Sequence, residues 1–150
     1  MSKFSLLSIE ELIEKLNFIN NDSVPKWGVM NPSQMLKHCS KFIDLYLGKI
    51  TVPFWYKYFG VTIGKLFLRY ISKINPLNTP KNIRTEKSIK ISDTSLNFEH
   101  EKGVLIQKLR KLNTLKGQIN HPIYGKMKSE QVIFLIIHHT THHCNQFGLI

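Results

Sequence analysis

The sequence predicts an all-α protein, an antiparallel four-helix bundle with an elaborated crossover between its second and third helices. Four segments carry apolar residues at every third or fourth position, and stretches rich in Asn, Pro and Gly separate them. Helices that each have one apolar stripe bury it against one another. Residues 88–92 alternate briefly, but no segment is typical of a longer strand.

Capping residues set the expected ends of the first two helices. The first is expected over residues 9–19, because a capping box formed by Ser8 and Glu11 precedes its apolar period. The second is expected over residues 32–47, with an Asn N-cap, a proline in its first turn and Gly48 after its end.

The second half of the chain predicts two more helices. The third is expected over residues 97–112, and the fourth over residues 129–147, with Ser129 as its cap. A short amphipathic helix is expected at residues 61–72, after an aromatic cluster. Residues 75–92 and 113–128 are expected to be loops.

Four histidines lie in the fourth predicted helix, in two pairs that are four residues apart. Residues at this spacing share a helix face, so His139 pairs with His143 and His138 with His142. The apolar period continues to His139, His143 and Gln146, which places the first pair inward. Two imidazoles one turn apart make half of a metal site. We therefore expect His139 and His143 to be ligands and His142 to be a flanking or supporting group; the alternative is a polar helix end with surface histidines.

His38 is the candidate for a third ligand. It lies in the apolar stripe of the second helix, where a buried imidazole needs partners for its nitrogens. A hydrogen bond in the core is one answer, and coordination beside His139 and His143 is the favoured one. Cys39 is expected to be a small buried apolar residue. Three protein ligands leave a coordination position open, as in catalytic sites, and imidazole suits divalent zinc, nickel or iron, and also copper.

Three further residues are candidates for roles near this site. Glu101 lies on the apolar face of the third helix, either as a carboxylate in water or as an acceptor for a ligand imidazole N–H, able also to take up a proton. Gln146, one turn beyond the last ligand, is expected to orient a substrate or a metal-bound ligand. His121, before a proline in a predicted loop, is expected to be exposed, although an approach to the site stays open.

Length and composition limit the class of protein. The chain has 150 residues, which fits a single domain spanning residues 1–150, and it has only two cysteines. It shows no signal peptide and no apolar run long enough to span a bilayer, so we expect a cytoplasmic protein. The net charge is +11, but no zinc-finger, RNP-like or repeated motif accompanies it, so no specific nucleic-acid partner is expected.

Much of the positive charge lies in residues 49–90, which carry nine Lys or Arg against one Glu. Aromatic residues, cations and a helical period occur together there, as in helices that lie on membrane surfaces. The favoured alternative is an elaborated crossover packed over the bundle, or a dimer interface. The large apolar content of residues 53–71 leads us to expect a homodimer.

The chain resembles the DinB-like, or YfiT-like, superfamily of metal-dependent hydrolases and transferases. The matching stretches are Trp27 with Met30-Asn-Pro-Ser-Gln-Met-Leu-Lys-His38, then His121-Pro-Ile-Tyr-Gly-Lys126, then His139-Thr-Thr-His-His143-Cys-Asn-Gln-Phe-Gly148. The His-x3-His-x2-Gln motif is the most specific of these. DinB relatives commonly have Arg-Gly before the Gln, where this chain has Cys144-Asn145.

The resemblance implies a divalent metal bound by His38, His139 and His143, and often a dimer. It also implies a small-molecule substrate, because characterised relatives include S-transferases of bacillithiol-like thiols and a mycothiol-dependent maleylpyruvate isomerase. The leading expectation is a metal-dependent transferase that activates a low-molecular-weight thiol or water. The alternatives are a metal-dependent hydrolase and a non-catalytic metal-binding or basic surface-binding module.

Overall fold

The computed structural model describes residues 5–150. Its helices and strands are, in chain order, α1 (Ile9–Asn17), α2 (Pro32–Tyr46), α3 (Phe54–Phe59), α4 (Lys65–Ile71), α5 (Phe98–Lys111), β1 (Gln118–His121), β2 (Gly125–Lys128) and α6 (Ser129–Gln146). A π-helical turn, Gly60–Gly64, joins α3 to α4, and short 3-10 turns occur at Pro76–Asn78, Lys87–Ile89 and Leu112–Thr114.

The prediction of an all-α four-helix bundle is wrong, because the fold is mixed. Strands β1 and β2 form a two-stranded antiparallel sheet within the segment that was expected to be a loop, with Gln118 opposite Lys128 and His121 opposite Gly125. Each strand has only four residues, so its side-chain alternation is too short to stand out in the sequence. Gly125, at φ 73°, adopts the left-handed conformation that lets the chain reverse after a three-residue turn.

Helices α1, α2, α5 and α6 surround the hydrophobic core. Each buries an apolar stripe, and α2 contacts both α5 and α6 while α1 contacts the same two helices from the other side. The fully buried side chains include Leu12, Leu16, Met35, Leu36, Ile43, Leu105, Leu109 and Ile136. The predicted caps of α1 and α2 are confirmed, since both capping boxes form. Helix α6 instead begins at Ser129 without a side-chain cap.

The segment between α2 and α5 is more helical than predicted. From Phe54 to Ile71 the chain is helical throughout, with the π-helical turn in its middle. Its two glycines, Gly60 and Gly64, pack closely against the hairpin turn. A Cβ at Gly60 would collide with the Ile123 carbonyl oxygen, and a Cβ at Gly64 would lie 2.6 Å from the Tyr124 ring. The hairpin therefore fixes the position of this helical segment.

Within residues 5–150, no helix combines the length and the hydropathy that are needed to cross a bilayer.

Candidate metal centre

Three imidazoles converge where α2 meets α6. His38 comes from α2, and His139 and His143 come from consecutive turns of α6. The Nε2 atom of His139 lies 3.1 Å from Nε2 of His38 and 3.3 Å from Nε2 of His143. The three rings offer nitrogens within 4.8 Å of one another, a group able to hold a metal ion. The structure thus brings together the three histidines that the sequence predicts as ligands.

The spacing of these nitrogens fits a metal ion. Zinc binds imidazole nitrogens at about 2.0–2.1 Å in a tetrahedral arrangement, which places two such nitrogens about 3.3 Å apart. The observed separations of 3.1 and 3.3 Å are close to that value. These two separations therefore suit a metal ion bound between the rings.

The Nδ1 atoms of His38 and His143 carry the ring protons, so the Nε2 atoms of both rings have lone pairs that face the other histidines. Nδ1 of His38 donates to the Ile89 carbonyl oxygen at 3.0 Å, and Nδ1 of His143 donates to Oε1 of Gln146 at 2.7 Å. A neutral ring that is protonated at Nδ1 has a lone pair at Nε2. A proton on Nε2 of His139 can point at only one of these two lone pairs. At least two nitrogens therefore face each other without a proton between them, and a cation at the centre would remove that repulsion.

Gln146 holds His143 in the ligand tautomer. Its amide nitrogen donates to the Trp27 carbonyl oxygen at 2.8 Å, which fixes the orientation of the amide and leaves Oε1 for His143. Gly28 permits this close approach: it lies at φ 82°, and a Cβ there would be 2.6 Å from the amide nitrogen of Gln146. A hydrogen bond behind a ligand imidazole orients the ring and raises its basicity.

Packing, rather than a hydrogen bond at Nδ1, holds the outer side of the His139 ring. Its ring stacks on Phe42 with a centroid distance of 3.7 Å and an interplanar angle of 7°. Its Nδ1 is buried and has no hydrogen-bond partner among residues 5–150. Phe42 also stacks on Tyr46, so an aromatic stack from α2 supports the ligand ring.

Burial keeps these imidazoles neutral. Loss of water disfavours the charged ring, so burial lowers the pKa of His143 to about 3 and lowers the pKa of His38. The pKa of His139 lies well below its ordinary value, first through burial and then through the neighbouring His143 and His38. Metals bind the neutral form of imidazole, so the three rings have the protonation state of ligands at neutral pH.

A cavity of about 700 Å³ lies beside the three histidines, and all three line it. That volume is in the range of about 300–1,000 Å³ usual for small-molecule sites. Its walls are largely apolar, with Phe42, Leu68 and Leu135 among them. The loop that precedes α5 contributes three cations to the lining, Arg84, Lys87 and Lys90, and one carboxylate, Glu86.

His121 is a further polar group on the cavity wall. It is 2% exposed, contrary to the expectation of an exposed loop residue, because it ends β1 and packs against Tyr46. Its Nδ1 accepts from the backbone N–H groups of Ile123 and Tyr124 at 3.0 and 3.2 Å. The neutral ring therefore carries its proton on Nε2, which is buried without a hydrogen-bond partner in the described part of the chain. The hairpin that determines this position was missed in the sequence.

The remaining sequence-predicted residues lie around the site or away from it. His142 lines the cavity and lies edge-on to His143, with its Nδ1 3.4 Å from the Pro76 carbonyl oxygen. His138 is buried and donates to the Ile74 carbonyl oxygen at 2.9 Å.

Glu101 is buried on α5, where it pairs with Lys37 at 3.3 Å and is not among the residues that line the cavity. The acceptor positions behind His38 and His143 are filled by Ile89 and Gln146 instead. The Ile89 and Trp27 carbonyl groups were not anticipated, because a backbone acceptor has no signature in the residue types.

Comparison with known proteins gives one match. The model of the family described as "Protein of unknown function (DUF1569)" matches residues 3–148. No curated protein and no solved structure matches the chain. The resemblance to the DinB-like superfamily therefore stays a prediction.

Proposed function

The chain belongs to the DUF1569 family, and we propose that it is a metal-dependent transferase that activates a low-molecular-weight thiol. One observation carries this proposal. Three imidazole nitrogens from His38, His139 and His143 converge at the wall of a cavity large enough for a small substrate. Two of the rings are oriented from behind by hydrogen bonds to Ile89 and Gln146. Histidines that bind metals almost always have such a hydrogen bond at their other ring nitrogen.

The ligand set favours activation of a nucleophile. Three protein ligands leave a position that a substrate can occupy, as in catalytic zinc sites. A divalent ion held by three neutral imidazoles keeps its full positive charge and lowers the pKa of a thiol or water that binds to it. Among the described residues, the group that could hold the ion consists of three histidines and includes no carboxylate or thiolate that would reduce that charge.

The cations of the cavity favour a thiol that carries carboxylates. Arg84, Lys87 and Lys90 line the cavity and are exposed, so they can attract the anionic groups of glutathione-like thiols. The apolar walls and the unpartnered N–H of His121 then suit the second substrate, an apolar molecule with a hydrogen-bond acceptor. In the reaction, the thiol sulfur bonds to an electrophilic carbon, the bond from that carbon to its leaving group breaks, and the thiol proton passes to solvent or to the leaving group.

The surroundings of the site favour a thiol over water as the nucleophile. Hydrolysis of an amide or ester usually needs a general base or acid beside the metal. Two candidates for that role are among the described residues that line the cavity: Glu86, which accepts from the backbone N–H of Ser88, and His142, whose Nδ1 lies 3.4 Å from the Pro76 carbonyl oxygen. A thiol ionises far more readily than water and needs no such group.

The test is turnover by metal-loaded and metal-stripped protein. Low-molecular-weight thiols are offered with a chromogenic aryl halide or an epoxide, and loss of thiol and formation of thioether are both followed. We expect turnover with the metal-loaded protein and at least one thiol, and background rates with stripped protein. His143→Ala should behave like stripped protein, and Glu101→Gln, which alters a buried carboxylate away from the cavity, should retain activity.

Two outcomes would replace this proposal. Metal-dependent hydrolysis of esters or amides without thiol turnover would make water the nucleophile and the protein a hydrolase. Tight metal binding with no turnover of any substrate in either panel would favour a binding module.

A further inference from the structure

We propose that the outer face of the helical segment from Phe54 to Ile71 binds the surface of an anionic lipid bilayer. The large apolar side chains on this face are called the aromatic face below. They are Phe54, Trp55, Tyr58, Phe59, Ile63, Leu66, Phe67 and Tyr70. This inference is independent of the proposed reaction.

The aromatic face is exposed although its segment is held against the protein. Phe54 is 90% exposed, Tyr58 76%, Ile63 66% and Leu66 64%. The opposite side of the segment is packed, with Leu68 buried against the core. An apolar patch of this extent on a positioned helix marks an interaction surface rather than scattered surface residues.

Charge identifies the kind of partner. Residues 45–85 contain seven Lys or Arg and no Asp or Glu. Four of the cations, Lys57, Lys65, Arg69 and Lys73, lie within the segment or just after it, and all are exposed. A surface that combines apolar side chains with cations and lacks anions complements an anionic partner that also has an apolar layer. Anionic phospholipid has both properties.

A second copy of the chain fits this face poorly. A symmetric dimer brings the same patch of both subunits together, so a patch whose charged residues are Lys57, Lys65 and Arg69 would face a patch of the same sign. The segment offers no acidic residue to pair with them. The homodimer expected from the apolar content of this segment is therefore the weaker interpretation of the same residues.

Single-stranded nucleic acid also fits poorly. Its bases stack on aromatic rings, but the aromatic face includes Ile63 and Leu66, which offer bases no ring. Lipid acyl chains accept aromatic and aliphatic side chains alike, and Trp and Tyr are favoured at the headgroup level.

The segment also connects this face to the cavity. Phe67 belongs to the aromatic face and also lines the cavity. Leu68 and Ile71, on the inner side of the same helix, line the cavity as well. A bilayer against the aromatic face would thus lie one helix away from the cavity.

The test is cosedimentation of the purified protein with vesicles. One set is pure phosphatidylcholine, and the other is an equal mixture of phosphatidylcholine and phosphatidylglycerol. We expect binding to the anionic vesicles to be at least about tenfold stronger, because each cation near an anionic surface contributes about a factor of five.

Two double variants and one matched control separate the contribution of the cations from that of the apolar side chains. Lys65→Glu with Arg69→Glu should weaken binding to anionic vesicles more than about tenfold. Ile63→Ser with Leu66→Ser should weaken it while leaving the net charge unchanged. The control is Lys126→Glu with Lys128→Glu on the exposed side of β2, which changes the net charge equally and should bind like the natural chain. Circular dichroism checks that each variant is folded.

Three results would overturn the proposal. The first is a failure of the vesicle experiment itself. The natural chain does not bind anionic vesicles, or the β2 control loses as much binding as the segment variants, in which case net charge alone explains the binding. The second is a dimer mass by light scattering that Ile63→Ser with Leu66→Ser converts to a monomer. The third is binding to a single-stranded oligonucleotide that the segment variants abolish, with no binding to vesicles.

Discussion

The side-chain oxygen of Gln146 accepts a hydrogen bond from the Nδ1–H of His143 at 2.7 Å, which leaves the Nε2 lone pair of His143 facing Nε2 of His139, 3.3 Å away. Because the Gln146 amide nitrogen donates to the Trp27 carbonyl oxygen, the glutamine cannot flip without losing both hydrogen bonds. The loop that contains Trp27 thus sets the tautomer of His143 on α6. Gln146 orients His143 in this arrangement, and it also lines the cavity, so its expected role in orienting a substrate or a metal-bound ligand stays a prediction.

Replacement of Gln146 should weaken metal binding without removing it. Gln146→Ala leaves Nδ1 of His143 without its acceptor, so we expect affinity for zinc to fall about 10- to 100-fold. Competition with a chromogenic chelator measures this loss. Glu101→Gln is the matched control, because it also alters one buried side chain and should leave the affinity unchanged. Equal affinity in Gln146→Ala and the natural chain would show that the hydrogen bond does not support a ligand.

The three proposed ligands should be distinguishable from their neighbour His138. His38→Ala, His139→Ala and His143→Ala should each lower zinc affinity by more than about 100-fold, since each loses a direct ligand. His138→Ala should have a small effect on metal content, because His138 donates to the Ile74 carbonyl oxygen outside the group of three. Elemental analysis of the purified variants is the measurement. Full metal content in His143→Ala would remove it from the ligand set.

Acid should destabilise the metal-free protein, and His121 should contribute to this effect. Burial lowers the pKa of His121 to about 4, from about 6.5 in an unfolded chain. The unfolded chain therefore binds more protons at this residue between pH 6.5 and 4. The free energy of unfolding should fall as the pH falls through that window, by up to about 1.4 kcal/mol per pH unit for this residue.

Replacement of His121 by Asn isolates its contribution. Asn offers an acceptor for the Ile123 and Tyr124 N–H groups but does not titrate. Urea unfolding of the natural chain and of His121→Asn, with a chelator present, gives the free energy of unfolding at each pH. The slopes of that free energy against pH should differ by the equivalent of about one proton between pH 4 and 6.5. Identical slopes would mean that His121 titrates alike in the folded and unfolded chains.

The cysteines of the protein should be inert, so the reacting thiol must come from a substrate. Cys39 and Cys144 are both free and buried. Burial raises the pKa of Cys144 to about 12 and that of Cys39 well above its ordinary value. Neither should form a thiolate at pH 8, so an aromatic disulfide reagent should react with the folded protein at least about 100-fold more slowly than with protein in urea. Rapid reaction of one thiol in the folded state would contradict this burial.

The sequence predicted the parts of the site that depend on helical spacing. His139 and His143 are four residues apart on an apolar helix, and His38 lies in an apolar stripe, so their meeting follows from local periodicity and packing. The caps of α1 and α2 are likewise local, since each capping box involves residues three positions apart.

The parts that depend on loop paths were not predictable in this way. His38 and Ile89 are 51 positions apart, and Gln146 and Trp27 are 119 apart, so these hydrogen bonds form only after the loops are packed. The hairpin escaped notice because its strands are short and polar, and the burial of His121 follows from the hairpin. Tertiary context also decides which face of the segment from Phe54 to Ile71 is exposed.

Anomalous X-ray diffraction from crystals of zinc-loaded protein, measured on both sides of the zinc edge, would locate the ion and identify its ligands. We expect one peak per chain, equidistant from the Nε2 atoms of His38, His139 and His143 at about 2.0–2.1 Å. The absence of a peak at this position, or a peak coordinated by other side chains, would contradict it.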